Sequence, residues 1–288
     1  MTISPEQMRF TFSDTIAGYV TTFDRDKDTF KLKTSDGREY TVKLKGSTYA
    51  QFVRNLGDPY HDATGQIREM LTKGRFVFVY GVFYPEHGGY NYEAQFLVFV
   101  GRKPGEYVFE NPDWWVRQII QLGDFYLAAQ FPSGVVNYDD YRTTITLTGD
   151  KESDNYRQET DTISRLVYGF ASAFLLTGDD RYLEGAEKGT EYLREHMRFY
   201  DRDEHIVYWY HGIDVRGKRE DKVFASEFGD DFDAIPAYEQ IYALAGPIQT
   251  YRITGDPRIL RDAELTVELF DRFFLDREKG GYFSHLDP

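Results

Sequence analysis

The sequence predicts an α+β protein of two domains: an OB-like five-stranded β-barrel over residues 1–105, then part of an (α/α)6 barrel over residues 106–288. Three observations predict this. Short runs rich in Val, Thr, Tyr and Phe crowd the first hundred residues, whereas helical spacing of apolar residues dominates the rest. TGDDRYLEGAE at 177–187 returns as TGDPRILRDAE at 254–264, an offset of 77 positions. A repeat at fixed spacing marks an architecture built by stacking one supersecondary unit. Charge divides the same way: residues 1–105 hold 14 basic and 12 acidic residues, the remainder 20 and 36, so nets of +2 and −16 make the chain's −14.

In the first part, strands are expected at 16–23, 29–34 and 39–44, with Asp36-Gly37 as the hairpin turn between the second and third. Helices are expected at 47–56 and 63–71, separated by Gly57, Asp58 and Pro59, followed by strands at 75–84 and 92–100. Three strands, a helical segment and two more strands is the order of a Greek-key barrel. Phe76, Phe78, Tyr80, Phe83, Tyr84, Tyr90 and Tyr92 form either a stacking platform or, by their alternation, barrel core and sheet face. His61 and His87 lie in loop sequences without a partner at metal-ligand spacing and read as solvated histidines. Gly101 to Trp115, with Asn111-Pro112-Asp113 as a helix start, ends the β part.

The second part reads as five helices, at 113–131, 161–176, 181–197, 234–253 and 258–274. The second and fourth are apolar almost all round and belong inside; the third and fifth have one apolar face and belong outside. Pro247 inside the fourth is expected to kink or shorten it. Short TGD turns close one end and long connections occupy the other, so the loop-bearing rim is where a site is expected. A closed ring of six such hairpins needs more helices than these, and the chain reads as the front part of something larger.

Composition limits the function. With 41% hydrophobic and 17% aromatic residues, 288 residues can bury two cores. There is no Cys, which excludes disulfides and thiolate metal sites. MTISPEQMRF lacks the basic start and apolar segment of a signal peptide, and the apolar runs are too short for a membrane span, so a cytoplasmic protein without a membrane partner is expected. The acidic helical part would repel phosphate backbones, which argues against nucleic acid there.

RLVYGFASAFLLTGD, AYEQIYALAGPIQTYRITGDPRIL and FFLDREKGGYFSHLDP resemble the N-acylglucosamine 2-epimerase family, which includes cellobiose 2-epimerases and aldose–ketose isomerases. The resemblance covers residues 113–288, the first five of twelve barrel helices, and does not include the N-terminal barrel. It implies C2 epimerisation or isomerisation of an N-acylhexosamine, aldose or oligosaccharide by proton abstraction and return. By motif, the sugar-facing Arg that opens the second helix corresponds to Arg165, and a substrate-contacting Tyr to Tyr238. The family's catalytic histidine motif, of Asn-x-His-x-x-Glu-Ala type, has no counterpart here, so the chain is expected to be inactive without a continuation.

Inverting a carbon beside a carbonyl needs two acid/base groups flanking the enediolate and a cation or donor at its oxygen. Arg165 suits the stabilising role, or forms a salt bridge to Glu159 or Asp161. His211 and His285 are the native acid/base candidates and read as equivalent positions of the two repeats, which favours a packing role. Trp209, between Tyr208 and Tyr210, either stacks on a sugar or seals the loop. Tyr168, Tyr238 and Tyr242 are cavity wall or core, and Glu239 bonds a sugar hydroxyl or pairs with an Arg such as Arg165. Asp230, Asp231 and Asp233 read as helix-capping residues, so neither metal nor cofactor is expected. The competing functions are a non-catalytic carbohydrate-binding module and an assembly module that self-associates through its open helical edge.

Overall fold

β1 (Phe12–Asp24) is the strand around which the first unit closes, because it is long enough to pair on both sides. The computed structural model describes residues 10–86, 89–101, 103, 105–152, 154–227, 229 and 232–287. They divide into two units, one ending at Trp114 and the other beginning at Trp115.

In the first unit β1 pairs antiparallel with β2 (Thr29–Lys33), which pairs with β3 (Glu39–Lys43). On its other side β1 pairs with β5 (Phe76–Glu86), and β5 with β6 (Gly89–Phe99). A parallel contact of β3 with β6 closes the five strands into a barrel. Closure needs bent strands, and the register of β5 against β6 shifts at Tyr80/Gly81. A Cβ on Gly81 would lie 2.3 Å from the Glu93 carbonyl oxygen, so only glycine permits this approach. Val20, Phe30, Leu32, Val42, Val77, Val79, Leu97 and Phe99 fill the interior.

The expected helix at 47–56 is corrected by the structure. Its centre is β4 (Tyr49–Phe52), which pairs parallel with β6. The alternation Tyr49-Ala50-Gln51-Phe52 buries Ala50, and Thr48 Oγ1 donates to the Ala94 carbonyl at 2.8 Å. A helix this short is marginal alone, so the open edge of β6 prevails. The expected helix at 63–71 shrinks to a 3₁₀ turn, Thr64–Gln66, and one helical turn, α1 (Ile67–Met70). Tyr92 and Phe83 belong to the core, while Phe78, Tyr80 and Tyr84 are exposed. His87 lies outside the described residues. Residues 106–108 hydrogen-bond back to Asn55, whose Oδ1 accepts from Val108 N at 2.7 Å and whose Nδ2 donates to the Glu106 carbonyl.

The second unit holds α2 (Trp114–Gln130) from its second residue on, β7 (Arg157–Glu159), α3 (Thr160–Thr177) and α4 (Asp180–Tyr192). A hairpin of β8 (Arg198–Asp201) and β9 (Ile206–Trp209) follows, then β10 (Gly212–Arg216) and β11 (Arg219–Val223), which form a small sheet with β7. β12 (Ile235–Pro236), α5 (Ala237–Thr254), α6 (Pro257–Leu269) and β13 (His285–Leu286) complete it. The tandem sequence is a tandem structure. Gly178 and Gly255 end α3 and α5 in the left-handed conformation, at φ 72° and 67°. Asp179 and Asp256 then cap α4 and α6 by accepting from Arg181 N and Arg258 N. Both outer helices end in a single π turn, Leu193–Met197 and Phe270–Phe274.

α3 and α5 pack face to face. A Cβ on Gly246 would sit 2.3 Å from the Ser164 carbonyl oxygen, which shows how closely the helices approach. Pro247 does not shorten α5. Its missing N–H leaves the Ala243 carbonyl without its usual intrahelical donor, and Ser164 Oγ donates to that oxygen at 3.1 Å while accepting from Gly246 N at 2.9 Å. Between the hairpins, buried Asp262 accepts from Arg194 Nε at 2.6 Å and from Arg198 Nη1.

The repeat register also corrects one equivalence. Thr160 N donates to the His211 carbonyl as Ala237 N does to that of Ser284; Glu159 pairs with Gly212 as Pro236 does with His285. His211 therefore matches Ser284, and His285 matches Gly212. The hairpin after the outer helix is four residues shorter in the second copy, since Arg198 pairs with Trp209 but Leu275 with Tyr282.

Candidate functional site

Arg165 is held on α3 by two local contacts. Nη2 lies 3.0 Å from Asp161 Oδ2 one turn earlier, and the guanidinium carbon lies 4.6 Å from the centre of the Tyr242 ring on α5. Tyr242 in turn packs edge-on against Tyr238, with ring centres 5.7 Å apart. Tyr168, Tyr238 and Tyr242 are 48, 41 and 41% exposed, so they are surface residues rather than core. Of the two salt bridges open to Arg165, the structure forms the one with Asp161, not Glu159.

Arg165 also lines an open cavity of about 570 Å³ between α2 and α3, with Tyr126, Tyr141, Thr143 and Thr162 among its walls. Tyr141 Oη donates to Thr162 Oγ1 at 3.1 Å, and burial pushes the Tyr141 phenol well above its ordinary pKa, so it stays a donor. No local pattern marks this wall, because residues 141–145 lie in an irregular connection that only the fold lays against α3.

A buried acid/base pair joins the loop between β9 and β10 to α5. His211 Nδ1 lies 2.8 Å from Glu239 Oε1, with both side chains enclosed. Glu239 thus pairs with a histidine, not with Arg165. Burial alone would lower the His211 pKa; the hydrogen bond to Glu239 and the charges of Glu239 and Glu159 outweigh it and raise the value above 6.5. Burial and repulsion from Asp161 raise Glu159, against an opposing pull from His211. Glu159 directly precedes α3, and a carboxylate before an apolar helix was the available signal for it.

Trp209 is removed from the binding set. It is 1% exposed, its Nε1 donates to Thr266 Oγ1 at 3.0 Å, and its backbone exchanges two hydrogen bonds with the Gln240 side chain. Tyr208 is buried too, donating to the Phe224 carbonyl. These rings seal the loop. His285 is exposed beside α5, with Nδ1 2.9 Å from Ser284 Oγ. The structure joins Arg165, Tyr238 and Tyr242 in one contact chain, and His211 reaches α5 through Glu239. Asp230 and Asp231 lie outside the described residues; Asp233 has a left-handed backbone with φ 61°. Among the described residues no group of three or more His, Cys, Asp or Glu is placed to hold a metal ion, and no helix is long and apolar enough to cross a membrane.

A closed five-stranded β-barrel in one unit and tandem helix pairs in the other, with an arginine and tyrosines on α3 and α5, define a mixed α+β protein. Comparison then relates it to sugar epimerases. The chain is 28% identical over 127 residues to the cellobiose 2-epimerase of Bacteroides fragilis, a match covering 43% of this chain and 28% of that enzyme. The relationship to the N-acylglucosamine 2-epimerase and cellobiose 2-epimerase family thus holds over part of the chain, and the chain spans under a third of the curated relative. Among solved structures, cellobiose 2-epimerase from Spirochaeta thermophila is 15% identical, covering 57% of this chain and 38% of that one at a TM-score of 0.47. A D-mannose isomerase is 16% identical, covering 62% and 41% at a TM-score of 0.46. No protein-family model matches the sequence.

Proposed function

We propose that this chain supplies the arginine–tyrosine wall of a sugar C2 epimerase or isomerase, acting on an N-acylhexosamine, aldose or oligosaccharide, and that alone it binds sugar without turnover. The observation that carries this reading is Arg165, held over Tyr242 at the edge of an open cavity, with Glu239 on the same helix as Tyr242 and bonded to His211 from the loop between β9 and β10. The partial relationship to cellobiose 2-epimerase supports it.

In the proposed reaction a base removes the proton beside the sugar carbonyl, and the electrons form an enediolate. Arg165 offsets the charge on its oxygen, and a proton returns to the opposite face. His211 holds its proton more firmly than a free imidazole, but its side chain is enclosed with Glu239, so acting as the proton donor in this proposal requires its loop to move and expose it. The second acid/base group is assigned to the family's histidine helix, which these residues do not contain. No cofactor or metal takes part. We read the barrel as OB type on its strand order β1-β2-β3-β6-β5 and parallel β3/β6 contact.

Calorimetry with glucose, mannose, N-acetylglucosamine and cellobiose tests the binding. Arg165→Ala and Tyr238→Ala should each weaken it at least tenfold, and unchanged affinity in both removes this site. In deuterated water, the chain alone should place no deuterium at the carbon next to the carbonyl. A second reading, an assembly module, is favoured by an apolar groove on α5 and α6 lined by Ile241, Leu244, Val267, Phe270 and Tyr282. Light scattering that gives a monomer at all concentrations would exclude it.

A further inference from the structure

The barrel unit has its own cavity, about 830 Å³, bounded by the chain after β4, by α1 and by the segment following β6. Its rim is preorganised. Asn55 N donates to Asp58 Oδ2 at 3.1 Å, Arg54 Nη1 donates to the Asp58 carbonyl at 3.1 Å, and Tyr107 Oη accepts from Gly101 N at 2.6 Å. With Asn55 also tied to Val108, the loops need little ordering on binding, which lowers the entropic cost.

The lining identifies a class of ligand. Three cations, Arg54, Arg75 and Lys103, are balanced by three carboxylates, Asp58, Glu69 and Glu106. A phosphate or a polyanion gains at the first set what it loses at the second. The same groups, with Gln66, offer donors and acceptors in mixed order, as a ligand whose hydroxyls both donate and accept requires. Aromatic surface is at hand: Tyr60 is 55% exposed with the Arg54 guanidinium 5.8 Å from its ring centre, and Phe52 packs against His61 at 4.7 Å. An uncharged, polyhydroxylated ring with an apolar C–H face satisfies both features, and the volume lies in the range of small-molecule sites.

We propose that this cavity binds a neutral saccharide. The site lies wholly within the barrel unit and does not depend on the assignment of Arg165.

The test is calorimetry on the whole chain carrying Arg165→Ala and Tyr238→Ala, with cellobiose, glucose, glucose 6-phosphate and inorganic phosphate as probes. Cellobiose or glucose should still bind, and adding Tyr60→Ala or Glu69→Gln, both at exposed positions, should weaken that binding at least tenfold. Far-UV circular dichroism of these variants checks that the fold is unchanged. Absence of binding by either neutral sugar overturns the proposal, as does tighter binding of glucose 6-phosphate or phosphate, or indifference to both barrel substitutions. Those results leave the Arg165 reading intact, whereas loss of all sugar binding in Tyr60→Ala with Arg165 restored would assign every sugar contact to the barrel.

Discussion

Gly246 and Gly169 occupy the same place in the two repeats, 77 positions apart in the middle of α5 and α3, yet they should respond oppositely to alanine. In both, replacing glycine in a helix interior gains about 0.5–1 kcal/mol of backbone entropy. At Gly169 a Cβ meets nothing within 4 Å, so that gain should stand alone. At Gly246 the new atom would lie 2.3 Å from the Ser164 oxygen and 2.7 Å from Val167 Cβ, and neither is the tip of a flexible side chain. Relief requires α3 and α5 to separate, which disturbs the Ser164 hydrogen bonds to Ala243 and Gly246. Overpacking of this kind costs roughly 1–3 kcal/mol or more, and two backbone-linked clashes place it at the upper end. Gly246→Ala should therefore destabilise the helical unit by about 2 kcal/mol net, lowering Tm by about 4–8 °C for a unit of this size. Gly169→Ala should hold Tm or raise it slightly. Thermal unfolding followed by far-UV ellipticity measures both, and equal shifts of the same sign would show that the tight α3–α5 contact is not formed as described.

Three further outcomes follow from the same geometry. Asp262→Ala removes the acceptor of Arg194 Nε and Arg198 Nη1 and leaves the buried Arg194 only Glu191 at 3.1 Å, so it should cost about 3 kcal/mol in denaturant unfolding, the low end for a broken buried pair; a loss below about 1 kcal/mol would mean that the pair is solvated. Trp209→Phe should lower stability by about 1 kcal/mol through the lost Thr266 bond while leaving sugar affinity unchanged in calorimetry. The His211 pKa, read by NMR titration, should lie above 6.5 and fall in Glu239→Gln. Because the folded value is raised, this pair's stabilisation is complete below the unfolded pKa of about 6.5 and is lost as pH rises through the folded value. The stability gap between wild type and Glu239→Gln should therefore narrow at alkaline pH, and a gap that widens would reverse the assignment.

Much of the helical unit was legible in the chain. The TGD turns specify themselves locally: Gly supplies the left-handed C-cap, and Asp caps the next helix and grips the Arg two residues on. Apolar spacing likewise located α4 and α6 with their one buried face, since burial of a face is written in the period, but α3 and α5, which read as enclosed, leave Tyr168, Leu175, Leu176 and Ile241 exposed. Local signals failed where a distant strand competed, as in β4, whose fate was set by the free edge of β6. They also failed for the site. That Glu239 would meet His211 rather than Arg165, and that Trp209 would be enclosed while Tyr238 is not, depends on how two hairpins of unequal loop length lie together.

By itself, then, the sequence determined the helices of the second unit, the caps of their TGD turns and the tandem plan, because each rests on interactions within a few residues. Only the tertiary structure decided which polar groups share the interior and which rings remain at a cavity. Those choices rest on contacts between residues tens of positions apart, as between His211 and Glu239 or Trp209 and Thr266.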